Sequence, residues 1–232
     1  MKHLKVQSGP FVDRPYFKDG EIESACEDEL VKAALLPSGP EPIRIERFIE
    51  KRFGVTPSYE DLGESILGLT RFNSAGVAEI VVAEALDSEN NVVSERRIRT
   101  TLAHEAGHAL FHTHLFVLAP REPLFGDATD PGRPKVLCRD EGVGSGSGYK
   151  GEWWEYQANC AIGGLLLPAR LTLQALQPYV VVVGTLGVVD FDRSRLDQAA
   201  RSLAEIFNVN PVVARIRINQ LYPKPAAGQM LL

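Results

Sequence analysis

The chain has 232 residues, 44% hydrophobic and 24% charged, with a net charge of -5 and a pI near 5.6. This is ordinary globular composition, enough for one large domain or one domain with a small appendage, and its charge has the wrong sign for an electrostatic footprint on DNA. Three cysteines, Cys26, Cys138 and Cys160, are odd in number and lack CxxC spacing, which excludes a disulfide framework and points to a reducing cytosol.

Met1 to Phe11 contains no apolar run that could act as a signal peptide, so a cytoplasmic protein without a membrane segment is expected. Glu21 to Leu36 reads as a first helix, closed by Pro37-Ser38-Gly39-Pro40. Ile45, Phe48, Ile49 and Phe53 mark a second that stops at Gly54. The period then changes: Ser65 to Phe72 and Val77 to Ala83 are apolar runs with β-branched residues, joined as a hairpin by Asn73-Ser74-Ala75-Gly76. A long helix follows, with Glu95, Arg96 and Arg97 in a polar first turn, Ile98 and Leu102 at helical spacing, and no proline before Pro120.

Residues 109–154 are largely Gly- and Pro-rich, with Ser145-Gly146-Ser147-Gly148 as a loop tip that either covers a cleft or is an inert surface insertion. Helical spacing returns at Trp154, Ala158, Ala161 and Leu165, and Pro168 ends that segment. Tyr179 to Val189, the longest apolar run, is too short to span a bilayer and reads as a buried strand or loop-helix edge. Asp192 to Phe207 is a further helix, and Asn210 as N-cap with Pro211 at the first position opens the last, Val212 to Leu221. The expected class is α+β, with a small sheet beside the long central helix and a C-terminal helical extension over 177–232. The remainder, 1–176, forms the main domain and begins with a helical N-terminal extension over 1–40.

Four of the five histidines fall within eleven positions, His104, His108, His112 and His114, and the first part reads His104-Glu105-Ala106-Gly107-His108, an HExxH pattern. Random placement gives this pattern in roughly one chain in a hundred of this composition. At about 100° per residue, His104 and His108 share one helix face and can aim at one metal ion. Glu105 lies beside them, where a carboxylate can take a proton from water without first binding the ion. The arrangement suits Zn2+ and metal-assisted hydrolysis; the competing reading is a buried helix whose histidines are satisfied core residues.

A catalytic zinc site needs a third protein ligand. His114 is one candidate, at the spacing of the metzincin pattern HExxHxxGxxH. That pattern requires a glycine where this chain has Phe111, and a helix that simply continued would carry His114 about 120° off the metal-facing side. Glu155 is the other candidate: Glu155 and Asn159 are four apart, so the carboxylate can ligate while the amide orients a ligand from behind. Cys138, within the Gly- and Pro-rich stretch, is either an inhibitory zinc ligand or an ordinary reduced thiol.

HEAGHALFH followed by EYQANCAIGGLLLP resembles the ImmA/IrrE family of metallopeptidases, in which HExxHxxxH precedes an ExxA(N/D) helix running into an apolar stretch that ends in proline. The resemblance covers about residues 42–222 in outline, although residues 109–154 make a longer separation between the two motifs than is usual there. It implies His104, His108 and Glu155 as zinc ligands, Glu105 as general base, and His112 behind the ligands. It further implies a protein substrate, commonly a helix-turn-helix repressor cleaved to release stress-response or mobile-element genes. The oxyanion donor stays open among Tyr149, Tyr156 and His112.

Two other classes of function compete. The last two helices superficially resemble a helix-turn-helix, with Arg201, Arg215 and Arg217 as candidate phosphate contacts for a transcriptional regulator; the bland alternative is that they pack on the main domain. A binding module that retains the peptidase fold is the third reading, though a scaffold has no need of Glu105.

Overall fold

The computed structural model describes residues 2–5, 13–118, 135–139, 153–183 and 188–223. Strands β1 (Lys2–Lys5) and β2 (Asp13–Tyr16) pair antiparallel, so the start of the N-terminal extension is a two-stranded ribbon and not helical. Helix α1 (Asp19–Lys32) begins two residues earlier than its apolar spacing indicates, because the Glu21 carboxylate accepts from the Lys18 backbone N–H at 2.7 Å and closes the first turn. It also ends earlier: Ala34 takes φ +54°, and Leu35 N–H returns to the Leu30 carbonyl at 2.9 Å. Helix α2 (Ile45–Phe53) buries Ile45, Phe48 and Ile49 and terminates at Gly54 in the left-handed region, as its sequence predicts.

The main sheet has four strands in the order β3-β5-β4-β6, from β3 (Ser58–Glu60), β4 (Ile66–Asn73), β5 (Gly76–Ala83) and β6 (Lys135–Arg139). β4 and β5 form the expected hairpin; Asn73 Oδ1 accepts from Ala75 N–H at 2.8 Å, and Gly76 supplies φ +128°, which few other residues tolerate. β6 lies antiparallel to β4 with Cys138 opposite Gly68, so Cys138 belongs to a strand and not to a loop.

After the short α3 (Glu84–Ser88), α4 (Val92–Phe111) runs through the middle of the molecule. Its N-cap is Asn91, whose side chain accepts from Val93 and Ser94 N–H, so the helix opens a turn before the polar residues that mark it in sequence. From Thr101 to Ala109 every residue is buried. A helix enclosed on all sides is ordinarily apolar; here two histidines and a glutamate lie in the enclosed stretch and need partners. α4 stops at Phe111 without Gly or Pro. Thr113 Oγ1 donates to the Ala109 carbonyl at 2.6 Å, the acceptor its own N–H would use in a continuing helix, and α5 (Thr113–Leu118) starts afresh.

Helix α6 (Trp153–Leu166) packs along α4 on one side and α1 on the other, and α7 (Ala169–Ala175) follows Pro168. Of the Tyr179–Val189 run, Tyr179 is buried whereas Val181, Val182 and Val189 are exposed. The run makes a hairpin, β7 (Val180–Val183) with β8 (Val188–Phe191), anchored by buried Tyr179 and Phe191 while Val182 is 72% exposed. Hydrophobicity marks a strand there, but among the described residues the ribbon pairs with no further strand, and Val181, Val182 and Val189 stay in solvent. Asp192 caps a tight turn at Arg193–Arg195 before α8 (Leu196–Phe207), and Asn210 caps α9 (Pro211–Leu221).

One apolar cluster joins Ile22 and Leu30 of α1, Phe48 of α2, Ile80 of β5, Leu102 of α4 and Leu165 of α6 to Leu203 of α8 and Ile218 of α9. Within it Arg217 is 5% exposed; its Nε donates to the Leu167 carbonyl at 2.9 Å and its Nη2 to Glu23 at 2.5 Å. Arg217 therefore faces the core and is no phosphate contact, and Arg215 is ion-paired with Asp197. Replacing Arg217 by Met keeps the apolar stem but strands Glu23 and the Leu167 carbonyl. Urea unfolding is expected to register a loss of about 3 kcal/mol as a lower midpoint at unchanged m-value. Among the described residues no helix is long and apolar enough to cross a membrane.

Candidate metal centre

His104 and His108 project from the buried turns of α4, and Glu155 reaches them from the first turn of α6. Their ligand atoms converge. His104 Nε2 and His108 Nε2 are 3.0 Å apart, and the Glu155 oxygens lie 3.2 Å from the first and 3.5 Å from the second. Nitrogen and oxygen ligands held tetrahedrally at about 2.0–2.1 Å from one ion sit about 3.3 Å from each other, so this spacing fits zinc or an ion of similar size. Among the described residues this is the group whose ligand atoms all fall within 4.8 Å of one another. The donor set, two imidazoles and one carboxylate, is that of a catalytic zinc with a position left for water or substrate.

The two helices come close because Gly107 has no side chain. A Cβ built there would stand 2.8 Å from Ala161 Cβ and 3.0 Å from Ala158 Cα, so glycine on α4 and alanines on α6 let the backbones nearly touch. Behind the ligands, Asn159 Oδ1 lies 3.1 Å from His104 Nδ1, and His112 Nδ1 lies 3.0 Å from His108 Nδ1. His112 in turn places Nε2 3.0 Å from Gln157 Oε1, and Trp153 packs its edge against the His112 ring.

Electrostatics follow from enclosure. Burial lowers the pKa of His108, against the opposing pull of Glu155, and drives that of His112 well below its ordinary value; both shifts favour the neutral ring, the form in which imidazole ligates metal. Burial by itself would raise Glu155, but the charge of His108 and hydrogen bonds from both imidazoles reverse the sign and hold it well below the usual carboxylate range. Glu105 is fully enclosed, and desolvation pushes its carboxyl up to about 7 against the opposing influence of His104 and Thr70. Its Oε2 accepts from Thr70 Oγ1 at 2.6 Å, while its Oε1 is buried without a hydrogen-bond partner among the described residues. An orphaned oxygen on a buried carboxylate, two imidazoles and a second carboxylate is an arrangement that suits a bound cation with its water.

His104, His108, Glu155, Asn159 and His112 are thus brought together in one cluster. His114 stands on α5, beyond the end of α4, and outside the group. Tyr156 turns its hydroxyl away to Asp19 Oδ1 at 2.8 Å. Tyr149 and the Gly142 to Gly148 loop lie outside the described residues. Three residues that spacing arguments passed over also belong to the site: Thr70, which arrives from β4; Gln157, about 200° round α6 from Glu155 and so apparently on its far side; and Gly107, hidden inside HExxH as one of its unspecified positions.

Zinc analysis checks the ligand set. His104→Ala and Glu155→Ala variants, each shown to be folded, are expected to lose stoichiometric metal after dialysis, whereas the unaltered chain retains one zinc. Retention by either variant would mean that another group ligates. No family model and no curated protein matches this chain.

Proposed function

We propose that this chain is a zinc-dependent endopeptidase of the ImmA/IrrE type, acting in the cytoplasm as a regulatory protease on a helix-turn-helix repressor. The observation that carries the peptidase reading is the conjunction of His104, His108 and Glu155 within ligand spacing with Glu105, whose carboxyl is influenced by both His104 and Glu155 and whose Oε1 is buried without a hydrogen-bond partner among the described residues. A binding module could keep three ligands as a structural site, but it has no use for an enclosed carboxylate whose pKa has been moved to about 7.

Zinc held by His104, His108 and Glu155 would supply Lewis acidity, polarising a scissile carbonyl and making water acidic enough to lose a proton near neutral pH. The chain's own residues do the rest. Thr70 fixes one oxygen of Glu105, so that Oε1 is the oxygen that takes the proton from the attacking water. Glu105 then hands that proton to the departing amine nitrogen. Asn159 and His112 hold the imidazoles in register while charge develops. The repressor as substrate rests on the motif resemblance alone; the burial of Arg217 favours packing of α8 and α9 on the main domain over a DNA-reading role.

The test is a search for new protein N-termini in a cell lysate treated with zinc-loaded protein, against the zinc-free chain. Under this reading new termini appear at one site in one or a few proteins, with negligible digestion of casein. Absence of any zinc-dependent terminus would remove the peptidase assignment, and robust casein digestion would replace a regulatory protease with a housekeeping one.

A further inference from the structure

We propose that Gln157 is a positioning residue that fixes the proton of His108 through His112, so that the single helix α6 sets the tautomers of both imidazole ligands. The inference rests on the reading of His104 and His108 as metal ligands and is independent of what, if anything, the protein cleaves.

A histidine that ligates through Nε2 must keep a lone pair there and carry its proton on Nδ1. In His108, fully buried, Nδ1 faces His112 Nδ1 at 3.0 Å. Two ring nitrogens at that distance need one proton between them: two N–H groups collide, and two lone pairs repel. Two arrangements satisfy the pair. In the first, His108 donates from Nδ1, His112 accepts at Nδ1 and carries its own proton on Nε2, and that proton requires an acceptor. In the second, His112 donates from Nδ1, the proton of His108 moves to Nε2, and the ligating lone pair is lost.

Gln157 chooses between them. It is 2% exposed and presents Oε1, the acceptor end of its amide, 3.0 Å from His112 Nε2. An acceptor there stabilises the Nε2–H form of His112, which makes His112 Nδ1 an acceptor, which in turn holds the proton of His108 on Nδ1 and leaves Nε2 bare. The amide's nitrogen in the same place would select the opposite chain of protons and close the ligand. An imidazolium at His112 would close it too, since both its nitrogens would donate, and enclosure between α4 and α6 opposes that charge.

The same logic applies once more on this helix. Asn159 Oδ1 lies 3.1 Å from His104 Nδ1, so a second amide oxygen accepts a second Nδ1–H and frees His104 Nε2. Glu155, Gln157 and Asn159, at alternate positions of α6, therefore supply one ligand and both proton acceptors. The Gln157 arm is longer by one imidazole because Gln157 leaves the helix on the flank away from Glu155. His112 spans the difference, which gives this histidine a purpose four residues beyond the motif.

The test reads the protons directly. Long-range proton–nitrogen correlation spectra of the chain labelled with nitrogen-15 histidine assign the tautomer of each ring, with and without zinc as the metal alone. With zinc bound, His112 is expected as the Nε2–H form and His108 as the Nδ1–H form; without the ion, the 3.0 Å contact between His104 Nε2 and His108 Nε2 draws a proton of its own, so the loaded protein is the one that reports the relay. Gln157→Leu removes the acceptor at nearly constant volume. It should abolish the Nε2–H preference of His112 and weaken zinc binding about 10- to 100-fold in chelator competition. A proton on Nδ1 of His112 in the zinc-loaded, unaltered chain overturns the proposal without recourse to any variant. So does a folded Gln157→Leu protein with unchanged tautomers and affinity. A chain that binds zinc with these tautomers but cuts nothing would refute the peptidase reading and leave this inference standing.

Discussion

Under the proposed assignment, Glu105→Gln is expected to retain one zinc per chain and to lose cleavage by about two to four orders of magnitude, the usual contribution of a positioned general base. The amide matches the carboxylate in size, and Thr70 can still donate to its oxygen, so α4 keeps its packing and His104 and His108 stay in place. What disappears is the acceptor at Oε1, where the amide nitrogen carries protons instead of a lone pair. The variant also replaces a buried ionisable group by a neutral one, so its melting temperature is expected to match or exceed that of the parent. Metal analysis measures the retention of zinc and N-terminal labelling of substrate the loss of cleavage. Undiminished cleavage would remove Glu105 from the mechanism and favour a binding role for the domain.

Gly107→Ala is the sharper test of how the centre is assembled. Within a helix the new methyl is intrinsically favourable by about 1 kcal/mol. Against that, its Cβ would stand 2.8 Å from Ala161 Cβ and 3.1 Å from the Ala158 carbonyl oxygen, contacts that only a shift of α6 can relieve. Overpacking of this kind costs about 1–3 kcal/mol, so the net change in stability is small. The change at the site is not: a displacement of α6 by about 1 Å carries Glu155, Gln157 and Asn159 away from the histidines together, and a misplacement of that size costs about a hundredfold in turnover. Gly164→Ala is the control. Its Cβ would meet Cys26 Cβ at 2.8 Å, an equal clash on the opposite side of α6, against α1 and remote from the ligands. Gly164→Ala is expected to destabilise while leaving zinc affinity within a few-fold. Equal losses of zinc in both variants would deny Gly107 its special position.

Much of this was readable from local pattern. The i,i+4 pairs His104/His108 and Glu155/Asn159 announced themselves because ligation from helices forces that spacing, and Gly54, Gly76 and Asn210 marked boundaries through backbone chemistry that does not depend on the rest of the fold. What escaped were features fixed between elements. Thr70 is one of several polar residues in β4, and only the register of β4 over α4 brings it to Glu105. Gln157 falls on the far side of α6 from Glu155 on a helical wheel, and its connection to the ligands runs through a second side chain, His112. The break after Phe111 comes from a hydroxyl competing for one carbonyl, without any of the residues that usually end helices. The valines of β7 and β8 read as buried because their composition is that of a core strand, and composition does not say whether a sheet lies beside them.

His104 and Glu155 lie on helices separated by a long stretch of chain, and nothing local holds them together; they form one site only once α4 and α6 have docked. Under the proposed assignment, occupancy of that site and integrity of the fold draw on a common free energy. Mass action then gives the ion leverage over unfolding. At free zinc one hundred times the dissociation constant the native state gains about 2.7 kcal/mol over a denatured chain that cannot gather the ligands, and each further tenfold adds about 1.4 kcal/mol. The melting temperature becomes a gauge of zinc supply, and in a cell starved of zinc the loss of function would be joined by a loss of protein.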